Sequence, residues 1–137
     1  MVGFLFYLYS TQILRFSIKV NETFITQNTI PDNFDGVRII QFSDLLITNK
    51  RELKLLENAV NSINQLQPDI VVFTGNLFSE KINHNTFDAE VTTLLKEINS
   101  NLGKIAVLGN TDLSRNEVIT QILMDASFYV LRNDSME

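Results

Sequence analysis

Polar residues that could bind a metal ion follow three apolar stretches of the sequence. Each stretch is short and rich in β-branched residues, which predicts a buried strand. Because ligands collect at the carboxyl edge of an open parallel sheet, we expect the three polar residues to lie together. Carboxylate and amide oxygens are ligands that hard cations accept. The stretches and the residues that follow them are 37–42 with Asp44, 70–74 with Asn76, and 104–108 with Asn110.

The segments between these strands have the patterns of helices. Asn49 and Glu52 resemble a capping arrangement, and apolar residues recur behind them at helical spacing to about Gln67. A second apolar stripe runs from Phe87 to Ile98, and 101–103 reads as its C-terminal signal.

A third helix and a further strand are predicted after Asn110. Ser114 and Glu117 have the spacing of a capping box, and the stretch 128–131 has the composition of a strand. Strands that alternate with helices predict an α/β fold with a mainly parallel sheet, flanking helices and right-handed crossovers.

The N-terminal part differs from the rest of the chain. Residues 1–16 are apolar and aromatic up to Arg15, but a membrane-spanning helix needs about 20 such residues. A segment packed on the domain and a remnant of a membrane anchor both fit, so membrane-associated and cytoplasmic locations stay open. The alternation in 16–26 predicts a half-buried strand. We therefore divide the chain into an apolar segment with an edge strand, 1–29, and a domain, 30–137.

Composition excludes several classes of function. The 137 residues, 45% of them hydrophobic, suffice for one domain with a core. The net charge is −5 and the 11 basic residues are scattered, which excludes a nucleic-acid partner. Cysteine is absent, and the one histidine, His84, lies in a polar stretch and is expected to be a solvated residue. The chain cannot by itself build a metal site rich in imidazole.

The three polar clusters, taken in order, resemble motifs of the calcineurin-like metallophosphoesterases. That family has Asp-x-His after one core strand, Gly-Asp-x-x-Asp after the next, and Gly-Asn-His-Asp/Glu after a third. This chain has Ser-Asp-Leu-Leu at 43–46, Gly-Asn-Leu-Phe-Ser at 75–79, and Gly-Asn-Thr-Asp at 109–112. The lead-in 30–37 resembles the membrane-anchored bacterial branch. The resemblance covers about 30–134 and implies the N-terminal half of the family's α/β/β/α sandwich.

The resemblance also assigns roles to individual positions. In the family the first Asp and its His bind one metal, the second Asp bridges two metals, and the Asn binds the second metal. These positions hold Asp44, Leu46, Asn76 and Asn110 here, so we interpret Asp44, Asn76 and Asn110 as vestigial ligands and Leu46 as a lost one. Thr111, with Asp112 beside it, stands where the family has its catalytic His.

These departures argue against tight binding of the metal pair, Mn, Fe or Zn, that the resemblance implies. Two dications about 4 Å apart repel by about 17 kcal/mol at an effective dielectric of 20, and a bridging carboxylate offsets that repulsion. Asn76 is neutral and Leu46 has no lone pair. The family's later His motifs lie beyond residue 137. The sequence therefore predicts a truncated, degenerate phosphoesterase domain without turnover of its own.

Two other functions fit the same residues. The scaffold would serve as a non-catalytic binding or membrane-associated module, or as one part of a hydrolase that a second chain completes. In either case we expect a second chain or another copy of this chain to cover the incomplete sandwich, because exposed apolar surface of that kind finds a partner or aggregates.

Overall fold

The computed structural model describes residues 18–80 and 86–135. It contains two compact units, 1–31 and 32–137. In the first unit, 18–26 have no regular secondary structure, and Phe24 is 85% exposed. The half-buried strand predicted for 16–26 is therefore wrong over its described part. Residues 1–17 and His84 lie outside the described residues, so the predictions made for them stay predictions. The division of the chain after residue 29 also stays a prediction.

The second unit is built on a four-stranded parallel sheet. Its strands pair in chain order, and the register places Phe42 opposite Phe73 and Phe73 opposite Ala106. The predicted α/β class with a parallel sheet is confirmed. The strands are β1 (Ile39–Phe42), β2 (Ile70–Phe73), β3 (Gly103–Ala106) and β4 (Tyr129–Val130).

Three α-helices connect these strands: α1 (Lys50–Gln65), α2 (Asp88–Lys96) and α3 (Asn116–Asp125). The predicted cap of α1 is confirmed, because Asn49 Oδ1 accepts the Arg51 N–H at 2.8 Å and Glu52 accepts the Asn49 N–H at 2.9 Å. The described residues contain no helix with the length and apolar character needed to cross a membrane.

Two predicted helix ends differ from the structure. A 3₁₀ helix (Asn110–Arg115) precedes α3, so Ser114 lies inside it and does not cap α3. The reason is local, because the Ser114 hydroxyl donates to the Thr111 carbonyl within the same turn. Gly103, which we predicted as part of a helix stop, is the first residue of β3.

The helices pack on one face of the sheet. With neighbouring strands paired in chain order, right-handed crossovers place every connecting helix on the same side. Alternate strand residues such as Val71, Phe73 and Ala106 are completely buried there, together with Leu56 of α1 and Leu95 of α2.

The opposite face of the sheet is partly exposed and largely apolar. Ile39 is 58% exposed and Tyr129 is 50% exposed. Ile70, Val72 and Ile105 lie on the same face and are half-buried. Isolated apolar side chains are normal on protein surfaces, but a contiguous apolar face usually marks an interaction site.

One lysine is buried in the core. Lys104 of β3 donates from Nζ to the carbonyls of Leu95 at 3.2 Å and Ile98 at 3.1 Å, which end α2 and the turn behind it. The ammonium also lies 5.0 Å from the ring centre of Phe128. A cation at the C-terminus of a helix is favourable, because the last carbonyls carry partial negative charge.

Candidate functional site

The segments that follow β1 and β2 run side by side beyond the sheet. The Asp44 N–H donates to the Gly75 carbonyl at 3.0 Å, and the Leu46 N–H donates to the Asn76 carbonyl at 3.1 Å. A parallel bridge between Ile47 and Phe78 continues this pairing. The first two motifs are therefore held together by main-chain hydrogen bonds.

The segment after β3 joins them through two glycines in close contact. A Cβ atom on Gly75 would lie 2.1 Å from the Gly109 nitrogen. A Cβ atom on Gly109 would lie 2.3 Å from Asn76 Oδ1. Since such distances are far inside van der Waals contact, only glycine fits at both positions. The three motifs thus meet at the carboxyl edge of the sheet, where the sequence predicted them.

The Asn76 side chain connects the two outer segments. Its Nδ2 donates to Asp44 Oδ1 at 2.7 Å, and its Oδ1 accepts both the backbone N–H and the hydroxyl of Thr111, each at 3.1 Å. Thr111, at the predicted catalytic position, thus binds a neighbouring side chain.

Asp112, the residue after Thr111, is completely buried. Its carboxylate accepts the backbone N–H groups of Asn76 at 2.7 Å, Leu77 at 2.9 Å and Gly109 at 2.8 Å. Sequence reasoning named Asp112 only as the neighbour of Thr111 and missed this role. Its position three residues after Gly109 was the available signal, because an acid at that spacing often accepts backbone N–H groups at the start of a helix.

Asp44 is exposed and remains an acceptor. Hydrogen bonds from the Ser43 hydroxyl and from the Asn76 amide hold the pKa of its carboxyl below the usual range. The sequence did not identify Ser43 as a contributor. A charged carboxylate is therefore available at this edge at neutral pH, with one oxygen engaged by Asn76.

Three residues of the site have the left-handed backbone conformation. The φ angles are 57° at Asp44, 44° at Leu46 and 63° at Asn76. Asp and Asn tolerate this region, but it is unfavourable for Leu. The Leu46 side chain is 41% exposed and offers no ligand atom. Asn110 is exposed at the start of the 3₁₀ helix.

The residues at this edge do not fit a pair of bridged divalent ions. The amide group that Asn76 turns toward Asp44 is a hydrogen-bond donor and cannot bind a cation. Its oxygen is occupied by Thr111. Within 18–80 and 86–135 no three Asp, Glu, His or Cys side chains are grouped in a way that could hold a metal ion. The vestigial ligand roles of Asp44, Asn76 and Asn110 stay predictions.

Comparison with known proteins finds a family with this architecture. The sequence profile of the calcineurin-like phosphoesterases matches residues 37–134. The chain is 31% identical over 129 residues to an uncharacterized metallophosphoesterase, YkuE, of Bacillus subtilis, a match that covers 93% of this chain and 45% of that protein.

Two further relatives match shorter stretches. A transmembrane protein with a metallophosphoesterase domain from Danio rerio is 28% identical over 94 residues, which is 69% of this chain and 21% of that protein. The UDP-2,3-diacylglucosamine pyrophosphatase LpxG of Chlamydia muridarum is 32% identical over 78 residues, which is 56% of this chain and 23% of that protein. The chain thus spans less than half the length of each of these relatives.

Proposed function

The chain belongs to the calcineurin-like phosphoesterase family, and we propose that it is a degenerate member without phosphoester hydrolysis of its own. The observation that carries the proposal is the orientation of Asn76. At the position of the family's bridging carboxylate, this chain directs an N–H donor at Asp44. Donor atoms there attract no cation, and an amide cannot supply the negative charge that holds two dications together.

Two further positions support the same proposal. Two-metal hydrolysis needs additional ligands and a group that stabilises the departing oxygen. Leu46 stands where the family has a ligand, and Thr111 stands where it has its catalytic His, with the Thr111 hydroxyl donating to Asn76. One histidine in 137 residues, His84, cannot replace the missing imidazoles.

The experiment is a phosphodiesterase assay on the purified chain. A generic chromogenic phosphodiester is incubated with Mn²⁺ and then with a chelator, and the rate is compared with that of Mn²⁺ in buffer. We expect no difference between protein and buffer. Turnover that depends on Mn²⁺ and is abolished by the chelator would contradict the proposal.

A second candidate function, a binding module, is favoured by the exposed face of the sheet. Ile39 and Tyr129 are 58% and 50% exposed on that face, whereas Val71, Phe73 and Ala106 on the helix-covered face are completely buried. Burying apolar surface is favourable by about 25 cal/mol per Å², so covering this face favours association. We propose that a second chain or another copy of this chain packs there.

The binding module has a direct test. The double variant Ile39→Lys, Tyr129→Glu should be a monomer in light-scattering measurements, whereas the wild-type chain should be associated. The matched control is Met124, which is 56% exposed on α3, away from this face; Met124→Lys should leave the mass unchanged. A monomeric wild-type chain at high concentration would contradict self-association. Association of residues 1–16 with a membrane is an alternative role. Co-sedimentation of the chain with lipid vesicles would distinguish this role from self-association.

A further inference from the structure

We propose that the Asn76 side chain is a metal-independent crosslink that holds together the three segments following β1, β2 and β3. The proposal rests on family membership and on the misfit between this site and a metal pair. It goes beyond the absence of turnover, because it gives the altered position a structural function. The crosslink does by hydrogen bonding what a shared ion would do by coordination.

The orientation of the amide is fixed by its partners. A backbone N–H, that of Thr111, faces one end of the amide, and a backbone N–H can only donate. The atom that receives it must be the oxygen, so the NH₂ group must face Asp44. There it meets a carboxylate, which can only accept when ionised. Reversing the amide would place donor against donor and acceptor against acceptor.

The main chain of Asn76 has the same neighbours. Its N–H donates to the buried carboxylate of Asp112, and its carbonyl accepts from Leu46. Main chain and side chain together therefore contact both neighbouring segments. Asn is also one of the few residues that readily adopts the φ of 63° found at this position.

An aspartate at position 76 would turn the attractive contact with Asp44 into a repulsive one. The oxygen that replaced Nδ2 would face Asp44 Oδ1 across the 2.7 Å that the hydrogen bond now spans. Two carboxylates so close repel unless a cation lies between them. Asn76→Asp should therefore make the stability of the chain depend on divalent cations, whereas wild-type stability should not.

The test compares melting temperatures of wild type, Asn76→Ala and Asn76→Asp in a chelator and in millimolar Mn²⁺. In the chelator we expect Asn76→Ala to melt about 4 °C or more below wild type, and Asn76→Asp lower still. Mn²⁺ should raise the melting temperature of Asn76→Asp and leave the other two unchanged.

A matched control comes from a second bridging amide. Asn64 Nδ2 donates to the Glu97 carbonyl at 2.9 Å, and its Oδ1 accepts the Asn99 N–H at 2.8 Å, so both of these partners are backbone groups. Asn64→Asp also loses one hydrogen bond, but Mn²⁺ should not restore its stability.

Asp44→Ala keeps the proposal testable if the Asn76 variants do not fold. A crosslinked Asp44 stabilises the chain, so its removal should lower the melting temperature in the chelator. If Asp44 were only a leftover ligand in an acidic site, its removal would leave the melting temperature unchanged or raise it.

Several results would overturn the crosslink. They are a wild-type melting temperature that Mn²⁺ raises, an Asn76→Ala or Asp44→Ala variant as stable as wild type, and an Asn76→Asp variant as stable as Asn76→Ala or insensitive to Mn²⁺. None of them depends on turnover, so failure of the crosslink and failure of the proposed function are separate outcomes.

Discussion

The carboxylate of Asp112 accepts the backbone N–H of Asn76 at 2.7 Å, across a sequence separation of 36 residues. The same carboxylate accepts the N–H groups of Leu77 and Gly109 and is completely buried. Removing it would leave three donors without this acceptor. Asp112→Ala should therefore destabilise the chain by about 3 kcal/mol or more, measured by urea unfolding.

The control for this change is Asp125→Ala on the exposed surface of α3. Asp125 accepts only a side-chain hydrogen bond, from Gln121 at 2.7 Å, among the contacts described. Its loss should change the free energy of unfolding by about 0.5 kcal/mol or less. Equal effects at the two positions would show that the buried carboxylate of Asp112 has no special role.

The contact between Gly75 and Gly109 gives a second prediction. Gly75→Ala places a methyl group 2.1 Å from the Gly109 nitrogen, at a φ of 95°. The two segments must separate, and we expect a loss of about 3 kcal/mol in the free energy of unfolding. Gly36→Ala is the control, because its φ is also positive, 75°, but nothing lies within 4 Å of the added atom. It should cost about 1 kcal/mol.

Asp69 should make the stability of the chain depend on pH in the acid range. The Arg38 N–H, at 2.8 Å, and the Asn101 side chain, at 2.9 Å, donate to its carboxylate, and these bonds with the Arg38 charge lower its pKa. A lowered folded-state pKa contributes stability above the unfolded value, about 3.9, and this stability is lost as pH falls through the folded value.

The stability advantage of wild type over Asp69→Asn should therefore be present at neutral pH and shrink below about pH 4. Urea midpoints of both proteins measured across this range test it. Asp125→Asn reports the general effect of removing an exposed acid. An advantage that grew on acidification would have the wrong sign for this network.

Lys104 should make the stability of the chain depend on pH in the alkaline range. Burial, and secondarily the Lys96 charge, lower the pKa of its ammonium. The folded state therefore releases this proton more readily than the unfolded chain, in which the pKa is about 10.4. Stability relative to Lys104→Met should rise as pH increases through the lowered pKa toward about 10.4.

Restoring the family's residues should not restore hydrolysis. Catalytic groups that act as a unit are not additive, so Asn76→Asp alone should give no turnover above Mn²⁺ in buffer. The triple variant Leu46→His, Asn76→Asp, Thr111→His is also expected to give no turnover above Mn²⁺ in buffer, because three changed side chains do not rebuild the full set of ligands that two ions need. Strong turnover by either variant would show that the remaining residues suffice.

The sheet was predictable because each strand carries its own signal. The apolar stretches end at a polar residue, so the sequence located β1, β2 and β3 and the edge at which Asp44, Asn76 and Asn110 lie. The α1 cap was also visible, since Asn49 and Glu52 are close in sequence. Local patterns are enough for elements whose stabilising contacts are themselves local or periodic.

The site network was not predictable, because its contacts join residues distant in sequence. The sequence identified Asn76 as a changed ligand, but its two hydrogen bonds depend on the glycine contact that brings Gly109 beside it. The predicted strand is absent from its described part, 18–26, because alternation alone supplies no partner strand. Exposure of Phe24 and Ile25 shows that alternation there does not correspond to a buried face.

The order in which the strands pair has a consequence for synthesis on the ribosome. Each strand adds beside the one made just before it, about 30 residues earlier, and none is inserted between two earlier strands. During synthesis, each new strand can therefore pair with a strand that has already been made, and no strand needs residues further along the chain before it can pair. Strands paired about 30 residues apart are not local in sequence, so the loop closure that each pairing needs still slows folding. The stretch described here has the topology of a chain that folds progressively as it is translated.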